Sequence, residues 1–306
     1  ADPAHPGSIA EIPRMFTDKE FQKLWVAKVK DPVVRSFWEK EMAKTSDFHK
    51  SEMLGYLISK VGRFVENEMM RNIIGQTRSG FNVREVMDQR KILLVNLAKG
   101  KVGEVNSSLL GLIIVSKLQM AALARANMPQ SERNDFYLYI DEFQNFITDS
   151  IATILAEARK YRLNLILAHQ YLGQLSGGSG TTDKGANNKI KDAVLGTVGT
   201  LVAFKMGIED AAVLAKEFAP SVTEYDLVNI EAYSAYMKLL YRNQATRPFT
   251  LKTLPLEPGN PRMAAAVRDL SRLKYGRSKE LVEAEIMERT KLGVAEKTWA
   301  GVEKTL

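Results

Sequence analysis

Apolar residues recur at intervals of three and four through the first eighty positions, and then the spacing changes. Thr17-Asp18, followed by Glu20, makes an N-cap signal ahead of Phe21, Leu24, Trp25 and Val29, which predicts a helix. Asp31-Pro32 opens a second helix, with proline in the first turn and Val33, Val34, Phe37 and Trp38 on one side. A third is predicted from about Ser51 through Met53, Leu54, Leu57, Ile58, Val61, Phe64 and Val65. No strand pattern interrupts this stretch, so residues 14 to about 80 read as a small all-helical block.

Beyond Gly80, short apolar runs alternate with helical patterns. The runs are Lys91–Leu97, Phe136–Ile140, Asn164–Ala168, Thr200–Phe204 and Ala235–Arg242. Helical patterns lie at Ser107–Arg125, about Ser150–Arg162, near Asn188–Leu195 and at Glu209–Phe218. Nearly continuous apolar strands separated by helices predict an α/β class with a parallel sheet covered on both faces. Pro258, Gly259 and Pro261 then break the pattern, and residues 263–300 read as one or two polar helices. The organisation read from this is an all-helical domain over 1–85, an α/β core over 86–255 and a helical arm over 256–306.

Composition narrows the class without naming a function. A chain of 306 residues with 45% hydrophobic and 26% charged residues is long enough to bury a sizeable core and is ordinary for a globular protein. No window approaches the roughly 20 uninterrupted apolar residues of a membrane span; Leu109–Val115 runs into Ser116, Lys117 and Gln119 and reads as a buried helix. Zero cysteines exclude disulfides and thiolate metal sites. The three histidines, His5, His49 and His169, lack metal-site spacing. The formal charge of +7 divides almost evenly along the chain, so it tolerates a polyanionic partner without marking a basic patch for one.

The residues that carry chemistry lie in FYLYIDEFQNF, 136–146. An apolar strand ends in adjacent carboxylates, Asp141 and Glu142, and ligand sites of α/β sheets sit at the carboxyl ends of strands. Hydrolysis of ATP needs an acidic group that holds Mg²⁺, usually through its waters, and a second that orients or deprotonates the attacking water. Adjacent residues at a strand end divide those roles, which is the Walker B pattern with a catalytic glutamate. A strand that runs out into solvent through an Asp-Glu pair shows the same letters, so the motif alone leaves both readings open.

The wider segment IDEFQNFITDSIATILAEARKYRLNLILAHQYLGQL resembles the FtsK/HerA superfamily of P-loop ATPases, and most closely the type IV secretion coupling-protein branch (TraG/TraD-like). It has the Asp-Glu strand, a helix carrying Glu157, Ala158, Arg159 and Lys160, and a strand ending in Ala168-His169-Gln170. LVAFKMGIEDAAVLAKEFAP (201–220), KILLVNL and the preceding helical block extend the likeness over roughly 10–255. The resemblance implies a partial RecA-like P-loop NTPase sheet preceded by an all-helical domain. It implies Asp141 as the Mg²⁺ residue, Glu142 as the catalytic carboxylate, Gln170 as sensor of the γ-phosphate, and Arg159 as a group reaching a neighbouring subunit's nucleotide. ATP and Mg²⁺ are the implied cofactors of the complete protein. DNA, a hexameric ring of copies and membrane-bound secretion machinery are the implied partners. The implied location is cytoplasmic, with the parent held at the inner face of a bacterial plasma membrane.

Each position has a plainer alternative. Arg159 and Lys160 could be a solvated helix face, Gln170 a strand cap, and Lys205 ordinary surface. The chain also departs from the family: it contains no G-x-x-x-x-G-K-[ST] run, and Gly100-Lys101 lacks the upstream glycine. The loop GGSGTTDKG (177–185) has the wrong order and place for a phosphate cradle. The resemblance puts that cradle ahead of residue 1, its strand beside the one ending in Gln170, so apolar sheet edges should be exposed. Tight ATP binding by this chain alone is not expected. Three functions follow: a DNA-translocating motor of conjugative transfer, a non-catalytic module that recruits transfer substrates, or a HerA-like DNA-processing translocase.

Overall fold

A computed structural model describes residues 6–146, 154–155, 157–176 and 189–290. The chain divides into two compact units, one built from 1–81 with 260–306 and the other from 82–259.

The first unit begins with helices set by their caps. The Asp18 carboxylate accepts hydrogen bonds from the Glu20 and Phe21 N–H groups at 3.0 and 2.9 Å and starts α1, Lys19–Val26. Asp31 caps Pro32–Ser36 in the same way, with proline in the first turn. Ser46 starts α2, Asp47–Val65, and Asn67 starts α3, Glu68–Ile74. The stretch is helical throughout, as its spacing predicts.

The second unit opens with α4, Val83–Asp88, and α5, Glu104–Leu123. Helix α5 is apolar and long enough to cross a membrane by composition, with mean hydropathy 1.6 over Glu104–Asn127. Its Leu118, Ala121 and Ala122 instead pack into the core beneath the parallel pair β1, Phe136–Ile140, and β2, Leu163–Leu167. Burial of Ile140, Phe143 and Leu175 in the same cluster holds the carboxyl ends of both strands against that helix, and Leu163 buries at the amino end of β2.

Three runs read as parallel strands behave otherwise. Lys91–Leu97 forms no strand. The Lys91 N–H bonds back to the Val86 carbonyl, and the Leu97 carbonyl accepts the Ser107 hydroxyl at 2.6 Å. A strand exists only where a second backbone pairs with it, and Ile92 and Leu94 of this run stay 87% and 83% exposed. The run 200–204 supplies β3, Leu201–Ala203, but it pairs antiparallel with β4, Ser234–Lys238, which pairs antiparallel with β7, Phe249–Lys252. The run 235–242 is split, because Leu239 leaves the ladder and Leu240–Tyr241 (β5) forms a hairpin with Gln244–Ala245 (β6). Arg242 and Asn243 at its tip both have positive φ, 49° and 61°, the conformation a two-residue turn between twisted strands requires. A second core joins β3 and β4 to α6, Ile208–Phe218, through Ala203, Ala211, Phe218 and Leu227.

The helical pattern expected over 150–162 lies partly outside the described residues, and its described end is a 3-10 turn, Ala158–Tyr161. The expected glycine-rich loop at 177–185 lies outside them entirely. The chain ends in α7, Pro261–Tyr275, and α8, Lys279–Thr290. Helix α8 packs into the first unit: Val282 and Ile286 bury against Ala10, and the Arg14 guanidinium donates to the Thr290 carbonyl at 2.6 Å. Every residue of α7 is exposed.

Candidate active site

The parallel register decides which polar side chains meet. Ile140 lies opposite Leu167, and the Ala168 N–H donates to the Ile140 carbonyl at 3.0 Å. The next residues of both chains, Asp141-Glu142 and His169-Gln170, therefore leave the sheet side by side. The Phe143 N–H returns to the Ala168 carbonyl at 3.0 Å, so the turn after the carboxylates is tied to the neighbouring strand. Phe143 is buried beneath it. Phe146, at the end of the same 3-10 turn, lies so close to Gly111 of α5 that a Cβ there would meet its ring at 2.1 Å. Glycine is needed at 111 because no larger residue lets the turn approach the helix.

Glu142 sits at φ 49°, a left-handed conformation that costs a non-glycine residue about 1 kcal/mol or more. The conformation aims its carboxylate at the strand ends. Oε1 accepts a hydrogen bond from Gln170 Nε2 at 2.7 Å, and Oε2 accepts one from Gln144 Nε2. The Gln170 bond, then the Gln144 bond, and last the charge of Lys99 hold the Glu142 carboxyl below its ordinary range. Lys99 Nζ lies 2.9 Å from Glu104 Oε1 and 3.5 Å from Asn145 Oδ1. Asp141 is exposed, and its Oδ1 accepts the Glu142 N–H at 3.0 Å.

Asp141, Glu142 and Gln170 are thus brought together, and Arg159 is not with them. It lies in the 3-10 turn that enters β2, at the amino end of a strand whose carboxyl end carries Gln170. Its Nη2 donates to Asn243 Oδ1 at 3.2 Å, on the β5–β6 hairpin. Lys205 follows β3 in the antiparallel sheet. Pattern reading missed Gln144, Lys99 and Asn243. Gln144 stands two residues past Glu142, where a turn after the strand returns it to the carboxylate, and that spacing was the available signal.

Mg²⁺ keeps several waters and takes one or two carboxylates with phosphate oxygens. A single exposed carboxylate at a strand end suits it, and among the described residues no group of three or more His, Cys, Asp or Glu forms a closed cage for a metal.

Residues 28–200 match the family model described as type IV secretory system conjugative DNA transfer. No curated protein sequence matches the chain. Among solved structures, the plasmid coupling protein TrwB in complex with ADP and Mg²⁺ aligns with TM-score 0.51 and 13% identity, over 83% of this chain and 62% of that one. TrwB in complex with the non-hydrolysable GTP analogue GDPNP aligns with TM-score 0.49 and 14% identity, over 80% and 60%. The chain spans about three fifths of the length of these structures. The first likeness shows the fold: an α/β unit holding part of a RecA-like sheet, preceded by helices.

Proposed function

Because this chain belongs to the type IV secretory system conjugative DNA-transfer family, we propose that it is the carboxylate-bearing part of an ATP-driven DNA translocase that couples transfer substrates to a secretion channel. The observation that carries the reading is the 2.7 Å hydrogen bond from Gln170 to Glu142 across the carboxyl ends of two parallel strands. It puts a carboxylate kept ionised at neutral pH beside an amide, at the edge where such sheets hold their ligands.

In this reading Asp141 would hold Mg²⁺, which would supply charge neutralisation to the phosphates. Glu142 accepts a proton from, or orients, the water that attacks the γ-phosphate. Gln170 has a second role: its Nε2 carries two hydrogens, one given to Glu142 and one able to meet a phosphate oxygen. A phosphate that draws the Gln170 amide away frees Oε1 to accept a hydrogen bond from water. Nucleotide occupancy and base availability are thereby linked through one side chain. Arg159 faces away from this edge and serves the neighbouring subunit's nucleotide in a ring, where a planar, always charged guanidinium can hold two γ-phosphate oxygens. The domains are an all-helical block over 1–85, the hydrolytic core over 86–255 and a helical arm over 256–306, working on the cytoplasmic side of the membrane.

The test is Glu142→Gln in a form that carries the phosphate-binding loop. The amide keeps size and hydrogen bonding but cannot act as base, so ATP should bind while turnover falls by roughly 100-fold or more. Hydrolysis at the wild-type rate would show that Glu142 is not the catalytic carboxylate.

A further inference from the structure

Helix α7 is exposed at all its positions, yet it is not polar all round. Met263, Ala266, Val267, Leu270 and Leu273 fall on one face at intervals of three and four, with Leu273 84% exposed. Helices of about fifteen residues are marginal alone in water, and packing of an apolar face usually supplies the missing stability. Arg262 flanks this stripe at its amino end and Lys274 lies within it at its carboxyl end.

A face of complementary character lies on α8. Its Val282, Ile286 and Thr290 are buried in the first unit, which leaves Leu281, Ala284 and Met287 turned outward between Glu280 and Glu288. The other acidic residues are engaged: Glu283 accepts from Asn72 at 2.9 Å, and Arg277 grips both oxygens of Glu285. A helix with a basic residue at each end of an apolar stripe thus has, in the same chain, an apolar face with an acidic residue at each end. It does not pack on its own neighbour. The Arg277–Glu285 pair and the edge-on contact of Tyr275 with Phe81, centroids 6.2 Å apart, fix the junction at the carboxyl end of α7.

We infer that α7 of one copy docks antiparallel on the exposed face of α8 of a second copy. Antiparallel packing sets Lys274 against Glu280 and Arg262 against Glu288. The two basic residues stand ~18 Å apart along their helix and the two acidic ones ~12 Å, a difference that long Arg and Lys side chains span. Each contact pairs two different surfaces, so it either closes as a two-fold dimer in which both copies exchange α7 and α8 contacts, or propagates head-to-tail round a ring. It uses none of the nucleotide-site residues and stands or falls separately from them.

The chain has no cysteine, which makes the test direct. Leu270→Cys and Ala284→Cys, made separately and mixed under mild oxidation, should form a disulfide-linked pair far faster than either alone. Sedimentation equilibrium should show mass rising with concentration. Arg262→Glu with Lys274→Glu should weaken that association by roughly tenfold or more, and mixing this variant with Glu280→Arg/Glu288→Arg should restore it. All these side chains are solvent-facing, and unchanged helicity by circular dichroism checks that the fold survives. Four outcomes overturn the inference. The chain stays monomeric at every concentration; the charge-swapped pair fails to recover; the mixed cysteine variants cross-link no faster than either alone; or the basic helix binds anionic vesicles or duplex DNA without any self-association.

Discussion

The two ends of the β1–β2 pair use the same kinds of side chain for contrary purposes. At the amino end, Arg125 is 0% exposed and donates to the Asn134 and Tyr161 carbonyls, each at 3.0 Å, on the backbones that feed the two strands. Asp88 meets it at 2.9 Å and also accepts from Arg84 at 2.9 Å. At the carboxyl end, Glu142 meets only neutral amides directly and lies partly in water. A cation taken wholly out of water costs several kcal/mol unless a counter-charge and acceptors surround it, so Asp88 and two carbonyls fix the amino end, with Arg125 Nη2 alone left without a hydrogen-bond partner among the described residues. A carboxylate at the surface carries no such cost, and amide donors keep it ionised without neutralising it. Burial and the charge of the partner, not residue type, separate a clamp from a reactive group.

The largest effect expected from breaking this contrast comes from Arg159, an arginine on the amino side that pairs with no carboxylate among the described residues. In a form with the phosphate loop, Arg159→Ala should lower hydrolysis by ~10³-fold or more. Mixing it with Glu142→Gln should return part of the activity, since one interface then pairs an intact Glu142 with an intact Arg159. Full activity of Arg159→Ala, with no recovery in assembled mixed rings, would make it an ordinary surface residue.

The clamp should fail in stability rather than chemistry. Asp88→Ala leaves Arg125 buried without its counter-charge and should cost about 3–5 kcal/mol, read as a lower denaturation midpoint. Replacing both partners, Asp88→Leu with Arg125→Met, should cost less than the single change. A single-variant loss under about 1 kcal/mol would mean the pair does not hold the strand entrances together.

The smallest effect is at the carboxylate itself. Gln170→Ala should raise the Glu142 pKa toward its ordinary 4.5, and Gln144→Ala should raise it by less, following the order of their hydrogen bonds. Carboxyl-carbon NMR across an acid titration of this chain measures both. The sign follows from linkage: a folded-state pKa below the unfolded one stabilises above the unfolded value, and that contribution is lost as pH falls through the folded value. Either variant should therefore lose less stability on acidification than the parent chain. Equal titration curves in all three would separate the amides from the carboxylate.

Local chemistry was legible directly. Asp18, Asp31 and Pro32 announced helix starts, because a cap is a contact between residues two or three apart. Phe136–Ile140 announced a strand running into Asp141 and Glu142 by its apolar run, and family resemblance pointed to Gln170. What stayed hidden was pairing. Lys91–Leu97 has the same apolar letters as β1 but meets no second backbone, while 200–204 and 235–242 found antiparallel partners instead of the parallel sheet expected of them. Apolar content shows that a segment seeks burial, but it carries no information about which distant backbone will accept its hydrogen bonds. The bond from Gln170 to Glu142 depends on the register of Ile140 against Leu167, twenty-seven residues apart in the chain. The near approach of Gly111 to Phe146 depends on how α5 lies beneath that pair. Sequence placed the carboxylates at a strand end; only packing between segments far apart could decide which amides face them, because those contacts exist solely once the strands have met.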